Sequence, residues 1–431
     1  MPPARSPGWA ATASAGALVL LTSCALFPGT DDGTAELTFW TWAPGITEVV
    51  QIWNDANPDV QVTVSEQGAG EEVVTKLLTA SQAGHPPDLV QAEYQALTTL
   101  AARDAVTDLS AYTAEAEQDF HENVWEQVTM GTDQVYAIPQ DSGPMMLYYR
   151  SDLFDEFGLQ VPTTWDEFAE VARQVRDEHP EHRITSFSAT DPGWFAGLAQ
   201  QAGASWWATE GDSWSVTVDD APTLRVAEYW DGLVAEDAVS ARPMYTPEWN
   251  AALNDGSLLT WPSAVWAPGV LAGNAEGTAG AWSMAPLPQW EEGLAATGSW
   301  GGSATGVATG SAHEGAAAEF AIWLNTSPEA TEALVRESGI YPAATSTQNS
   351  RVLADPPEFF AHQEDFYEQV ARIAEGTAPV TWGPNVNVTY SSYKDAFAAA
   401  IAGGTPFAEA VATMQKDTLA DMENKGFAIS R

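Results

Sequence analysis

Four side chains gather where three short strand patterns end: Trp42 after the first, Gln67 after the second, and Glu93 with Tyr94 after the third. Two aromatic rings, a carboxylate and an amide on one rim can cover an apolar face of a ligand and accept its hydroxyl hydrogens. The plainer alternative is that Trp42 and Tyr94 cap the core beneath them. Other candidate chemistry is isolated. Ser391-Ser392-Tyr393-Lys394 fits the Ser-x-x-Lys pattern of acyl-transfer enzymes but has no partner motif. His179 and His182 flank Pro180 in a polar turn, which reads as a solvated loop before a metal pair. No Gly-x-x-x-x-Gly-Lys occurs, so the sequence offers no P-loop to cradle the phosphates of ATP.

The elements that would hold this rim follow from periodicity. Leu37 to Trp40 is a β-type run, and Ile46, Val49, Val50 and Trp53 share one helical face that Pro58 closes. Val60, Val62 and Val64 alternate as a strand does. Val73, Val74, Leu77 and Leu78 then return to helical spacing until Gly84, and Leu89-Val90 is a third strand. A β-α-β-α-β order implies a parallel sheet, whose ligands sit beyond the carboxyl ends of its strands.

A second α/β unit follows. Tyr136 to Pro139 and Met145 to Tyr149 are β-like runs around Gln140 to Gly143, and Thr164 with Glu167 forms a capping box for a helix that stops before Pro180. Ile184 to Phe187 reads as a strand, Trp194 to Gln201 and Pro222 to Val234 as helices, and Leu258 to Trp261 as a strand that Pro262 breaks. Ser299-Trp300-Gly301-Gly302 is either a loop or a hinge where backbone comes close to a ligand. Helices are expected at Ala316 to Leu324, after a Ser327 cap with Pro328, at Tyr390 to Ala402, and from Thr405-Pro406 to Lys425.

Composition sets the address. The chain has 431 residues and a formal charge of -43 with four lysines, so nucleic acid and anionic membrane surfaces are poor partners. Cys24 is the single cysteine, which rules out an internal disulfide. It follows the apolar run Ala15 to Leu21, which is too short to span a bilayer and reads as an export signal. Leu21-Thr22-Ser23-Cys24 resembles the bacterial lipoprotein box, which implies a lipidated Cys24 as first residue of the mature chain; the alternative is an ordinary cleaved signal. Gly29 to Thr34 is then a polar tether.

Longer motifs carry a wider resemblance. These are Leu37 to Trp42, Trp53 to Pro58 followed by Val60 to Val64, Pro87 to Val90, Leu147 to Phe154 with Gly158, Pro162 to Phe168, and Ala317 to Phe320 with Ser327 to Glu329. In this order they are similar to the extracellular sugar-binding lipoproteins of ABC importers, the maltose-binding-protein-like group. The resemblance implies a two-lobed α/β periplasmic-binding-protein fold of type II, each lobe a mainly parallel sheet flanked by helices, hinged by several crossings. It places a signal peptide at 1–23, a tether at 24–34, one lobe at 35–140 and 303–345, and the other at 141–302 and 346–431.

By the same resemblance, Trp42, Glu93, Tyr94 and Asp141 face a ligand from the first lobe or hinge, and Trp194, Trp261, Trp266, Trp300 and Trp382 match or lie near ligand-facing aromatic positions of the second; the strand-end Gln67 and the loop glycine Gly301 complete the candidate set from the residue pattern alone. The implied role is capture of a neutral mono- or oligosaccharide, without catalysis, metal or cofactor. Ring planes suit the C–H faces of a pyranose, and carboxylates suit its hydroxyls. The implied partners are ABC permease subunits with a separate ATPase, and the membrane only through the lipid on Cys24, on the outer face of the cytoplasmic membrane, as a monomer. Two other readings share these residues: a secreted glycoside hydrolase, if two carboxylates face one glycosidic bond, and a binder of a cationic compatible solute held in an aromatic cage.

Overall fold

A computed structural model describes residues 34–211 and 213–430; the export segment, Cys24 and most of the tether lie outside them. Among the described residues the strands are β1 (Ala35–Thr41), β2 (Val60–Glu66), β3 (Leu89–Glu93), β4 (Ile138–Asp141), β5 (Met145–Arg150), β6 (Trp207–Glu210), β7 (Ser213–Val216), β8 (Thr260–Ala264), β9 (Trp282–Pro286) and β10 (Ser303–Val307). They form a five-stranded sheet ordered β2-β1-β3-β10-β4, a three-stranded sheet ordered β8-β5-β9, and a β6-β7 hairpin.

The first sheet grows from the alternation in the sequence. Leu37 and Phe39 of β1 point inward and are buried, and β1 pairs in parallel with both β2 and β3. The helix Ile46–Ala56 buries Ile46, Val49, Val50 and Trp53 against this sheet. Trp53 binds distant chain: its indole N–H donates to the Val60 carbonyl at 2.9 Å, and its ring lies 5.4 Å from Phe320 and 5.2 Å from Trp323. The helix Glu314–Thr326 is thereby tied to the N-terminal βαβ unit.

The second sheet corrects the expectation of mainly parallel pairing. β5 is antiparallel to both β8 and β9, and in the first sheet β10 runs antiparallel to β3 and β4. The parallel partner expected at Ile184 to Phe187 makes only isolated bridges, because its backbone is divided between neighbours. The Ile184 carbonyl accepts from Thr260, while the Phe187 N–H donates to Ser240. Pro262 does not end its strand either. It lies inside β8, an edge strand where a missing N–H costs no ladder bond, and its carbonyl accepts the Trp194 indole N–H at 2.9 Å. Thr164 and Glu167 make the expected capping box. Ser327 stands at its helix N-cap without a side-chain cap bond.

Three segments pass side by side between the sheets. Ser142 N–H donates to the Tyr341 carbonyl, Trp300 N–H to Gly143, and Met145 N–H to Gly298, each at 2.9 Å. These bonds join the crossings near 141–145, 298–302 and 341–343 into one hinge. Gly302, at φ +86°, packs so closely that a Cβ there would stand 2.9 Å from the Tyr94 ring. At Gly298 a Cβ would lie 1.8 Å from the Gly197 carbonyl oxygen. The atoms it would meet are all Gly197 backbone, so no flexible side chain can yield. Gly298→Ala is therefore expected to lower stability by roughly 1–3 kcal/mol, read as a lower melting temperature; an unchanged melt would refute the close approach.

Candidate ligand cleft

A cleft of about 1010 Å³ opens between elements packed on the two sheets. One wall is the start of the helix Glu71–Gln82 and the β3 end running into the helix Tyr94–Ala102. The other is the turn Thr190 to Gly193, the Trp300 ring and the helix Val386–Gly403. Glu71, Glu93 and Gln95 face Asp191, Trp300, Tyr390 and Lys394 across it.

Glu93 sits where a strand becomes a helix, so its carboxylate leaves the sheet at the rim. Gln95 donates to its Oε2 at 2.6 Å, and a Cβ on Gly70 would lie 3.5 Å from that oxygen. Burial, then the charges of Asp141 and Glu71, push the Glu93 carboxyl up from 4.5 to about 7. Asp191 is raised by burial as well, although hydrogen bonds from Ser188 at 2.6 Å and Thr190 at 3.1 Å, and the charge of Lys394, pull the other way. Tyr390 is raised strongly by burial and by the charges of Glu93 and Glu71, which places its phenol among those acids.

Of the residues named from sequence, Glu93 and Trp300 line this cleft. Trp266 stands behind Trp300: its indole N–H donates to the Trp300 carbonyl at 2.9 Å, and the rings meet edge-on at 4.7 Å. Gly301, at φ +81°, leaves room for that indole, since a Cβ would come within 3.2 Å of its nitrogen. Trp261 is buried under the same cluster, 5.8 Å from Trp266 and 5.1 Å from Trp249. Trp194 is fully buried, in the core of the second sheet.

The remaining named residues lie elsewhere. Tyr94, the neighbour of Glu93, turns to the other side of the hinge, where it is buried, donates to the Asp141 carbonyl at 3.0 Å and lines a separate cavity of about 570 Å³. Asp141 is engaged by its own neighbour: Oδ1 accepts from the Ser303 N–H at 2.9 Å and from the Ser303 hydroxyl at 2.5 Å. Burial still lifts its carboxyl from 3.8 to about 6, against those two bonds. Trp42 is partly buried, its backbone N–H donating to Gln91 Oε1 at 3.2 Å, and the Gln67 side chain donates to Ser65 at 2.9 Å; both are outside the cleft lining. Trp382 is buried 6.4 Å from Tyr390 and walls a further cavity of about 360 Å³.

Sequence reasoning missed Glu71, Gln95, Asp191, Tyr390 and Lys394, which line the cleft, and Tyr245 beside it. Tyr245 is 43% exposed, holds φ +61° and stands 6.5 Å from Trp300. A bulky non-glycine residue in that region stores strain that clusters at working sites. Asp191-Pro192 at a helix start and an acidic helix N-terminus at Glu71 were the available signals. The histidines are packing groups: His179 stacks on Phe157 at 3.7 Å, and His182 Nδ1 lies 2.7 Å from the Gly256 carbonyl.

Residues 40–331 match the family model of bacterial extracellular solute-binding proteins. The chain belongs to that family. Among relatives of this solute-binding protein is the arabinooligosaccharide-binding protein of Halalkalibacterium halodurans, 25% identical over 76% of each chain. The lactose-binding protein of Rhizobium radiobacter is 25% identical over 80% of this chain and 83% of its own. In three dimensions the solute-binding protein is similar to the galacto-N-biose/lacto-N-biose I-binding protein of Bifidobacterium longum in complex with lacto-N-biose. That comparison gives a TM-score of 0.84 and 27% identity over 93% of this chain and 100% of the other. The fold is the two-lobed type II periplasmic-binding-protein fold. No helix among the described residues is long and apolar enough to cross a membrane.

Proposed function

We propose that this protein is the substrate-binding component of an ABC importer and captures a neutral mono- or oligosaccharide between its lobes for delivery to a permease pair with a separate ATPase. The observation that carries the reading is the cleft itself: Trp300 and Tyr390 supply ring planes, and Glu93, Asp191 and Gln95 supply acceptors and a donor. Rings cover the C–H faces of a sugar while carboxylates take its hydroxyl hydrogens. The volume is that of a small-ligand site. Sugar-binding relatives on the same fold support the same chemistry.

The lobes are assigned as 35–140 with 303–345 and 141–302 with 346–431, hinged where the three crossings meet, and sugar held by both walls biases them toward closure. Cys24 is the proposed lipid anchor after removal of residues 1–23, which holds the protein on the outer face of the cytoplasmic membrane. A relative from Streptomyces antibioticus, 31% identical over 37% of this chain, carries the name lipoprotein.

Glycoside cleavage by Glu93 with Asp141 is disfavoured on geometry, since Ser303 occupies Asp141 Oδ1 and only Glu93 lines the cleft. The test is solution scattering with lacto-N-biose, lactose, β-1,6-galactobiose and arabino-oligosaccharides. At least one is expected to reduce the radius of gyration and to survive incubation without new reducing ends. Unchanged dimensions at saturation with every sugar that binds would reject closure.

A further inference from the structure

Lys394 lies within a wall of acids. From the first-sheet side it faces Glu71 and Glu93, and from its own side Asp191, with Asp395 and Asp417 also on the cleft. Its ammonium is 3.4 Å from Glu71 Oε2, and its charge is among the influences that oppose the burial-driven rise of the Asp191 carboxyl. This ion pair joins a helix packed on the first sheet to one packed on the second side. The pairs Lys76–Glu72, Arg173–Glu236, Arg336–Glu332 and Lys425–Asp421 each stay on one side. Two other cations line the cleft, Arg103 at the far end of the helix Tyr94–Ala102 and Lys425, which is held 2.8 Å from Asp421.

We propose that Lys394 is the counter-charge on which closing of the cleft depends: without its pair to Glu71, closure would press the acids of one lobe against those of the other. The inference rests on the closure proposed above. Nothing about the sugar's own contacts is needed, because the pair forms between the walls. An exposed ion pair taken alone contributes little, whereas like charges set face to face are costly. The effect therefore comes mainly from what Lys394 prevents. In a chain of charge -43 with four lysines, one lysine at this place reads as a positioning residue for the two lobes. Its neighbours support that role: Ser392 donates to Asp417 at 2.8 Å, and the Tyr393 hydroxyl donates to the Ser188 carbonyl at 2.8 Å, so the helix turn carrying Lys394 is fixed against the second lobe.

The test compares wild type, Lys394→Gln, Lys394→Glu and the swapped pair Glu71→Lys with Lys394→Glu, all as full chains, by scattering and by titration calorimetry with lacto-N-biose, lactose and β-1,6-galactobiose. Without sugar, Lys394→Glu is expected to have a larger radius of gyration than wild type, and the swap to return toward it. With a binding sugar, Lys394→Gln is expected to weaken affinity roughly two- to fivefold and Lys394→Glu tenfold or more. Raising salt should recover part of the Lys394→Glu loss through screening. Matching melting curves separate these effects from misfolding, and Lys394→Gln gives the milder variant if the reversal does not fold. Dimensions and affinity of Lys394→Glu equal to wild type would overturn the proposal while leaving sugar capture intact. A wild type that binds sugar without compacting would instead remove closure itself, and the sugar-free dimensions would still decide the role of Lys394.

Discussion

Glu93→Gln is expected to stabilise the sugar-free protein at alkaline pH and to do little at pH 4.5. The Glu93 carboxyl is held at about 7 in the fold against 4.5 for an ordinary glutamate, because burial and the charges of Asp141 and Glu71 disfavour its ionised form. The folded state therefore binds more protons than the unfolded state between those two values. Stability must fall as pH rises through that window and reach its full deficit above about pH 7. The deficit is about 3 kcal/mol at pH 8. Replacing the carboxyl by an amide removes it, so the difference in denaturant stability between variant and wild type should grow from near zero at pH 4.5 to its maximum by pH 8. A flat difference across that range would show that Glu93 does not carry the buried charge. Ligand binding should run the other way. A sugar hydroxyl donating to Glu93 favours the ionised form, so binding near pH 7 releases a proton and affinity should rise from pH 5.5 to pH 8 by roughly tenfold. In Glu93→Gln, weaker binding that no longer depends on pH is the expected companion result.

That a costly carboxylate stands at the β3 end explains what was legible in the sequence. Strand-end loops are set by local pattern, so Val60 to Val64, Leu89-Val90 and the helix phases around Trp53 and Leu77 were enough to place Glu93 on a rim. The same pattern could not say which way the next side chain turns. Glu93 faces the cleft and Tyr94 the back of the hinge, a difference set by the strand-to-helix corner and the Gly302 crossing, whose contacts are 209 positions away from Glu93 by sequence number. The tryptophans divide for a related reason. Trp194, Trp261, Trp266 and Trp300 are equally good ring platforms by type. Only packing distinguishes Trp194, whose N–H is used by the Pro262 carbonyl, from Trp300, whose ring is left to the cleft. By pattern Tyr390 and Lys394 belong to a late helix, and Lys394 also to an isolated Ser-x-x-Lys match. What makes them cleft residues is that this helix crosses to meet the Glu71 wall, a long-range contact without a local signature. The resemblance implies a mainly parallel second sheet, but strand direction depends on which strands pair, and β5 takes two antiparallel partners far along the chain.

Trp300→Ala and Trp194→Ala should therefore separate binding from folding, although both remove an indole near the same turn. Trp194 is fully buried among Phe187 at 5.5 Å and Trp230 at 5.2 Å, and its N–H has a backbone partner. Its loss leaves a large cavity and an unpaired Pro262 carbonyl, so the expected cost is about 3–5 kcal/mol of stability. Trp300 is different in kind. The atom that Trp266 binds is its backbone carbonyl, which alanine keeps, and the ring is only partly enclosed. The fold should survive with a modest loss, because the edge-on contact to Trp266 at 4.7 Å and the tilted one to Tyr245 at 6.5 Å disappear while the hinge bonds of Gly143 and Gly298 remain. The ring plane itself is what a sugar face would rest on. Removing a central aromatic anchor typically costs 2 kcal/mol or more of affinity, roughly thirtyfold or greater in Kd. Calorimetry with a sugar that binds the wild type, alongside thermal melts of both variants, reads the two effects separately. Undiminished affinity in Trp300→Ala, with the melt unchanged, would mean that the cargo rests on another surface and that the cleft assigned here is not where the protein holds it.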